Sequence, residues 1–249
     1  MPKYDLAFSR PYLNAAGFLG FAPDLHGPAD LAGLGAFVTN PISLERRSPA
    51  RSPRFQIFPG GFLLHTGHPN PGFRAVLKHF GPRWAASTVP VIVNLLVKGV
   101  EDTKHMARRL DEVDGVIAIE ISLPPEVDAE GALALSGAAV GELPVILRLP
   151  LDRALELAPI FPHSGAAAIS LGAPRGSLPD ADNNLIQGRL FGPSLFPQSL
   201  ATAQSLSKRG FPVIAGGGIY HISEAQALLN AGAIAVQLDA VLWRGGWET

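Results

Sequence analysis

The chain has 249 residues, 47% of them hydrophobic, with a formal net charge of −1 and a pI near 6.7. That balance gives no electrostatic case for nucleic acid or an anionic membrane. The absence of cysteine excludes disulfides, iron–sulfur clusters, thiolate zinc sites and a cysteine nucleophile or base.

The opening residues, MPKYDLAFSR, carry no signal-peptide h-region, and no run of ~18 apolar residues could span a bilayer. A cytoplasmic protein acting on a small molecule is therefore expected. Apolar segments that read as strands follow at Tyr12–Ala16, Ala36–Thr39, Val89–Leu95, Val116–Ile121, Pro144–Leu149, Ala166–Leu171, Pro212–Ala215 and Ala233–Leu238. Helical patterns lie between them at Pro28–Leu34, Phe73–Phe80, Val100–Val113, Asp128–Val140, Ala154–Ile160 and Pro197–Lys208. Another helix separates the last two strands, with a capping box predicted from Ser223 and Gln226 and a C′ glycine at Gly232.

Near-continuous apolar strands alternating with helices predict a parallel sheet covered on both faces. Eight of them predict one α/β domain over residues 1–249, a single (β/α)₈ TIM barrel. Val241–Thr249 leaves room for a helical turn or two, so the last helix is expected to be truncated. Two stretches break the rhythm, 40–72 and 172–193. Both follow strand C-termini, where barrel sites are built, and both are read as long functional loops. Gly216-Gly217-Gly218 follows a strand and precedes a helix. Such glycines let backbone N–H groups approach an anion, which predicts a phosphate or a phosphate-bearing cofactor there, with a plain tight turn as the alternative.

Thr39-Asn40-Pro41, Arg46-Arg47, Pro53-Arg54 and Pro69-Asn70-Pro71-Gly72 together resemble the run that dihydroorotate dehydrogenases carry after their second barrel strand. The resemblance continues in order through Asn14-Ala15-Ala16-Gly17, Pro90 to Asn94, Ala118 to Ser122, Pro144 to Leu149, Gly188 to Pro193 and Gly217-Gly218-Ile219. It implies an FMN-binding barrel of pyrimidine biosynthesis in which a general base removes a proton and the flavin accepts a hydride. Carried over by position, Ala15, Ala16, Gly17, Thr39, Asn94, Arg148 and Gly192 would lie along the flavin. Gly217 and Gly218 would hold its phosphate, and His65, Gly67, His68 and Asn70 would face the substrate. The resemblance also allows a homodimer.

The departures are specific. Asn40 stands where the family has a lysine, and Arg148 replaces the strand 5 lysine with its charge kept. His65, Glu120, Pro125 and Gly172 stand where the family has asparagines. Leu123 stands at the base, and Asp239-Ala240 replaces a Gly-Thr beside the phosphate. Loss of amides built to hydrogen-bond a substrate predicts loss of that substrate. Asn40 and Asp239 argue against FMN, a carboxylate being unfavourable beside a phosphate.

His65 and Glu120 are the candidate acid–base residues. The competing expectation for Glu120 is a buried ion pair with Arg148. His65, His68 and Glu120 show no metal-ligand spacing, so no metal is expected. Arg47 and Arg54 are expected to tie their loop, and Arg189 to partner a phosphate or Asp239. The function expected is an FMN-dependent oxidoreductase resembling dihydroorotate dehydrogenase, its substrate not clearly dihydroorotate. The alternative is a non-catalytic or flavin-free relative that binds a phosphate ligand or serves as an assembly subunit.

Overall fold

The computed structural model describes residues 6–24, 27, 31, 33–51 and 55–244. The strands in chain order are β1 (Tyr12–Asn14), β2 (Phe37–Val38), β3 (Phe55–Phe58), β4 (Gly61–Leu64), β5 (Val91–Leu96), β6 (Val116–Ser122), β7 (Val145–Pro150), β8 (Ala168–Gly172), β9 (Arg175–Pro179), β10 (Leu185–Phe191), β11 (Val213–Gly216) and β12 (Ala235–Leu238). The helices are α1 (Phe73–Ala85), α2 (Val100–Leu110), α3 (Ala129–Ala139), α4 (Ala154–Leu157), α5 (Phe161–Ser164), α6 (Phe196–Lys208) and α7 (Ile222–Asn230).

Eight parallel strands stand side by side in the order β1-β12-β11-β8-β7-β6-β5-β2. The ring closes between β1 and β2 through a bridge from Leu13 to Ala36. Asn14 completes that seam: its Oδ1 accepts the Val38 N–H at 2.8 Å and its Nδ2 donates to the Val38 carbonyl at 2.6 Å. The result is the expected (β/α)₈ barrel.

One residue from or beside each barrel strand fills the lower interior: Leu13, Ala36, Ile92, Ala118, Ile146, Ala168, Ile214 and Ala235. Taken round the ring, large and small side chains alternate, so the four large ones come from alternate strands and meet in the middle. Side chains on a strand alternate between faces, so the residue two further along enters the same interior one layer higher. In this chain five of the eight positions of that upper layer are polar: Asn94, Glu120, Arg148, Ser170 and Gln237, all buried. The outer faces of the strands pack against the helices in a second, larger apolar core that includes Trp84, Met106 and Leu110.

The stretches 40–72 and 172–193 are not plain loops. They carry β3, β4, β9 and β10, which pair as an antiparallel sheet in the order β3-β4-β10-β9 over the barrel mouth. Gly192 has φ +136, and a Cβ there would collide with the backbone of Gly60 and Gly61, where the two hairpins cross.

Several local expectations also change. Helix α1 runs past Pro82 to Ala85, anchored by buried Trp84, whose Nε1 donates to the Phe21 carbonyl at 2.7 Å. The segment after β7 breaks into α4, a 3₁₀ turn and α5, with Pro159 and Pro162 early in the second and third pieces. The cap of α7 is His221 with Glu224, not Ser223 with Gln226; the Glu224 carboxylate accepts the His221 N–H at 2.9 Å. Gly232 does sit just past the end of α7, with φ +102. Among the described residues, β12 is followed by one 3₁₀ helix, Ala240–Arg244. The helix expected at Pro28–Leu34 falls largely outside the described residues, as does Arg54.

The seam at Asn14 makes the first test. Asn14→Leu leaves a buried N–H and a buried carbonyl of Val38 unpaired, each costing about 1–3 kcal/mol. Urea denaturation should show a loss of roughly 3 kcal/mol, and an unchanged midpoint would remove Asn14 from barrel closure.

Candidate functional site

Glu120 is the centre of the polar layer and is fully buried. Its Oε1 accepts from Ser170 Oγ at 2.7 Å and Gln237 Nε2 at 2.7 Å. Its Oε2 accepts from Asn94 Nδ2 at 2.6 Å and from Arg148 Nη1 at 3.2 Å. Arg148 Nη1 also donates to Gln237 Oε1 at 2.9 Å, and Ser122 Oγ bonds Asn94. These bonds join β5, β6, β7, β8 and β12 across the interior. The network has room because β8 ends in glycine: a Cβ on Gly172 would stand 2.9 Å from Arg148 Nε.

Above this layer, under the antiparallel sheet, lies a cavity of about 840 Å³. Ala16, Gly17, Asn40, His65, Gly67, His68 and Arg148 line it, with an apolar wall that includes Phe18, Leu64, Leu123 and Phe191. Six basic side chains (Arg46, Arg47, Lys98, Arg148, Arg175, Arg189) face two acidic ones, Glu45 and Asp102. The cavity therefore favours an anion.

Of the residues singled out from sequence, Glu120 is absent from the cavity wall, so its expected acid–base partnership with His65 is not formed. Its carboxylate is consumed by four neighbours. Asn94 is likewise tied to Glu120 and Ser122, and Thr39 Oγ1 accepts the Asn94 N–H at 3.0 Å. Asn70 braces its own loop, donating to Ser43 Oγ at 3.0 Å and to the His68 carbonyl at 3.0 Å. Arg47 does tie that loop, its Nε donating to the Gly67 carbonyl at 3.0 Å. Ala15, 5% exposed, and Gly192 are packed into the protein and do not line the cavity. His68 holds a left-handed backbone, φ +52, and stays neutral: burial, then the charges of Arg189, Arg47, Arg148 and Arg175, push its pKa down to about 3. Gln237 had gone unread, although it lies two residues after the inward Ala235.

The glycine turn after β11 is closed. Gly217 and Gly218 have φ +96 and +78, are buried, and do not reach the cavity. Asp239, 3% exposed, lies against this turn, with the Gly218 N–H directed at its carboxylate. The Ala240 N–H donates to its Oδ1 at 2.6 Å. Burial pushes its pKa up to about 6, against the pull of the N–H groups of Ala240, Asp239 and Gly218 and the charge of Arg148. Beside it Phe18, Phe191, Ala15 and Ala240 pack together, and Trp243 lies 4.7 Å from Phe18, ring to ring. No salt bridge joins Arg189 to Asp239 among the described residues. Nor do the described residues contain a group of three or more His, Asp or Glu side chains able to hold a metal.

The model of the family described as dihydroorotate dehydrogenase matches residues 3–139. The catalytic subunit of dihydroorotate dehydrogenase B (NAD(+)) from Desulforudis audaxviator is 31% identical, over 93% of this chain and 82% of its own length. The chain belongs to the dihydroorotate dehydrogenase family. The subunits of the same name from Desulforamulus reducens and Pelobacter propionicus are each 30% identical, over 94% of this chain and 84% of theirs.

FMN, the cofactor the resemblance implies, can be tested against these residues. Ala16, Gly17 and Arg148 border open space. The phosphate end does not fit: its two glycines are enclosed, an N–H of the cradle points at Asp239, and aromatic side chains fill the approach. A phosphate there would meet a buried carboxylate of its own sign.

Two measurements follow. Arg148→Met leaves the Glu120 charge buried without its cation and should cost about 3–5 kcal/mol. A double-mutant cycle with Glu120→Leu should return a coupling of roughly 2 kcal/mol in urea denaturation, and additivity would dismiss the pair. The pH dependence is the second. Asp239 has a folded pKa of about 6, above its ordinary 3.8, so its protonation favours folding as pH falls from about 6 towards 4. His68 has a folded pKa of about 3, below 6.5, so acidification through that window favours the unfolded chain. The two oppose each other. Asp239→Asn should steepen the loss of stability in acid, and His68→Gln should reduce it, as read from thermal midpoints across pH.

Proposed function

We propose that this member of the dihydroorotate dehydrogenase family is a flavin-free relative that binds a small molecule in the cavity over the barrel. One observation carries the reading: the Asp239 carboxylate, buried in the turn where the family's FMN phosphate would sit. The lost family residues agree with it. Leu123, at the base position, lines the cavity and cannot take a proton, and Arg148 and Asn94 are engaged by Glu120. The ligand would rest on Arg148 and the apolar wall, with His65 and the neutral His68 as hydrogen-bonding groups.

A second reading keeps the family chemistry, a dihydroorotate dehydrogenase-like oxidoreductase with FMN. Kinship over 93% of the chain and the placement of Arg148 on the cavity wall beside Ala16 and Gly17 favour it. The relatives are named as catalytic subunits, which supports assembly with a different chain as readily as the homodimer.

Flavin content decides between the two. The purified protein should be colourless, release no flavin on denaturation, and leave the fluorescence of added FMN unquenched. Yellow protein whose colour bleaches on anaerobic mixing with dihydroorotate would replace the first reading with the second.

A further inference from the structure

The cavity roof holds a charge arrangement that the barrel does not explain. Arg175 on β9 and Arg189 on β10 are direct partners in the antiparallel register. Side chains at paired positions emerge on the same face, with Cβ atoms about 5 Å apart. Like charges so placed repel each other, and strands normally avoid them. Both arginines line the cavity, as does Leu64, which pairs with Arg189 from the other side. No carboxylate of the described residues forms a salt bridge with either one.

Arg148 completes the group from below. Among the described residues its side-chain hydrogen bonds use Nη1, directed down to Glu120 and Gln237, while the residue itself borders the cavity. Glu120 thus offsets one of the three guanidinium charges, and its field favours the charged form of Arg189. Burial, together with the charges of Arg148 and Arg175, pushes Arg189 down to about 9. A half-buried guanidinium held against two others is unfavourable unless an anion joins them.

We propose that Arg175, Arg189 and Arg148 form an oxyanion site, which takes the carboxylate or phosphate of a small organic acid whose apolar body lies on Phe18, Leu64 and Phe191. Guanidinium forks match such planar or tetrahedral oxyanions with paired, charge-assisted hydrogen bonds. The site is separate from the glycine turn at Gly217 and Gly218, which does not line this cavity. This inference names the ligand class for the small-molecule cavity proposed above and rests on that reading.

Calorimetric titration with benzoate, phenyl phosphate and benzylamine at constant ionic strength tests it. At least one of the two anions should bind saturably and the cation should not. Arg175→Gln and Arg189→Gln should each weaken that binding at least tenfold, while Arg109→Gln on the outer face of α2 should leave it unchanged. Without ligand, Arg189→Gln should melt no lower than the wild type, because it relieves an unpaired charge. The inference is overturned if neither anion binds, if binding survives both arginine substitutions, if benzylamine binds as tightly, or if Arg189→Gln melts lower. Flavin content of the same samples reports on the underlying reading separately: yellow protein would defeat that reading while leaving the arginine dependence of anion binding to be judged on its own.

Discussion

A carboxylate in the middle of a barrel needs donors on every side. Glu120 has no exposed surface, so water cannot solvate it, and an unpaired charge there would cost several kcal/mol. The chain answers with Arg148, Asn94, Ser170 and Gln237, drawn from four other strands. That requirement fixes much of the upper interior. Arg148 must lean inward, which needs the missing side chain at Gly172. Gln237 must turn its amide so that its nitrogen reaches Glu120 and its oxygen receives Arg148. Asn94, which the resemblance would place against a flavin, is turned to the carboxylate instead.

The departures from the family are linked by register. Ala118, Glu120 and Ser122 are successive inward positions on β6, as are Ile146 and Arg148 on β7, and Ala168, Ser170 and Gly172 on β8. On and just past β12, Ala235, Gln237 and Asp239 follow the same period of two. The substituted positions therefore stack above one apolar floor. Glu120 with Arg148 forms a neutral pair in the second layer, and Asp239 supplies a built-in anion one layer higher beside the last strand. Together they set a carboxylate against the glycine turn on one side of the mouth and leave the other side basic.

The barrel was legible because its signals are local: apolar runs of strand length, helices between them, glycines at turns. The Glu120–Arg148 pair was legible too, since two charges on neighbouring apolar strands have few places to go. What escaped was non-local. β4 pairs with β10 across more than a hundred residues of chain, and runs as short as Phe55–Phe58 and Gly61–Leu64 give no local sign of that distant partner. Gln237 was hidden inside Ala233–Leu238, read as a continuous apolar segment. Asp239 could be read as an obstacle to phosphate, but not as the group that receives the turn's own N–H groups, because that depends on the backbone direction after β12.

A fold is kept by its apolar layers, and those are intact here: the large–small alternation around the ring has no break. An activity is kept by a few side chains at the strand ends, and those are the positions that differ. The basic roof is not required by the scaffold, since like charges at directly paired strand positions are unfavourable and the sheet could hold its register with neutral residues at 175 and 189. Two like charges paired on one strand face are more economically read as half of an interaction, the other half being the anion proposed for the cavity.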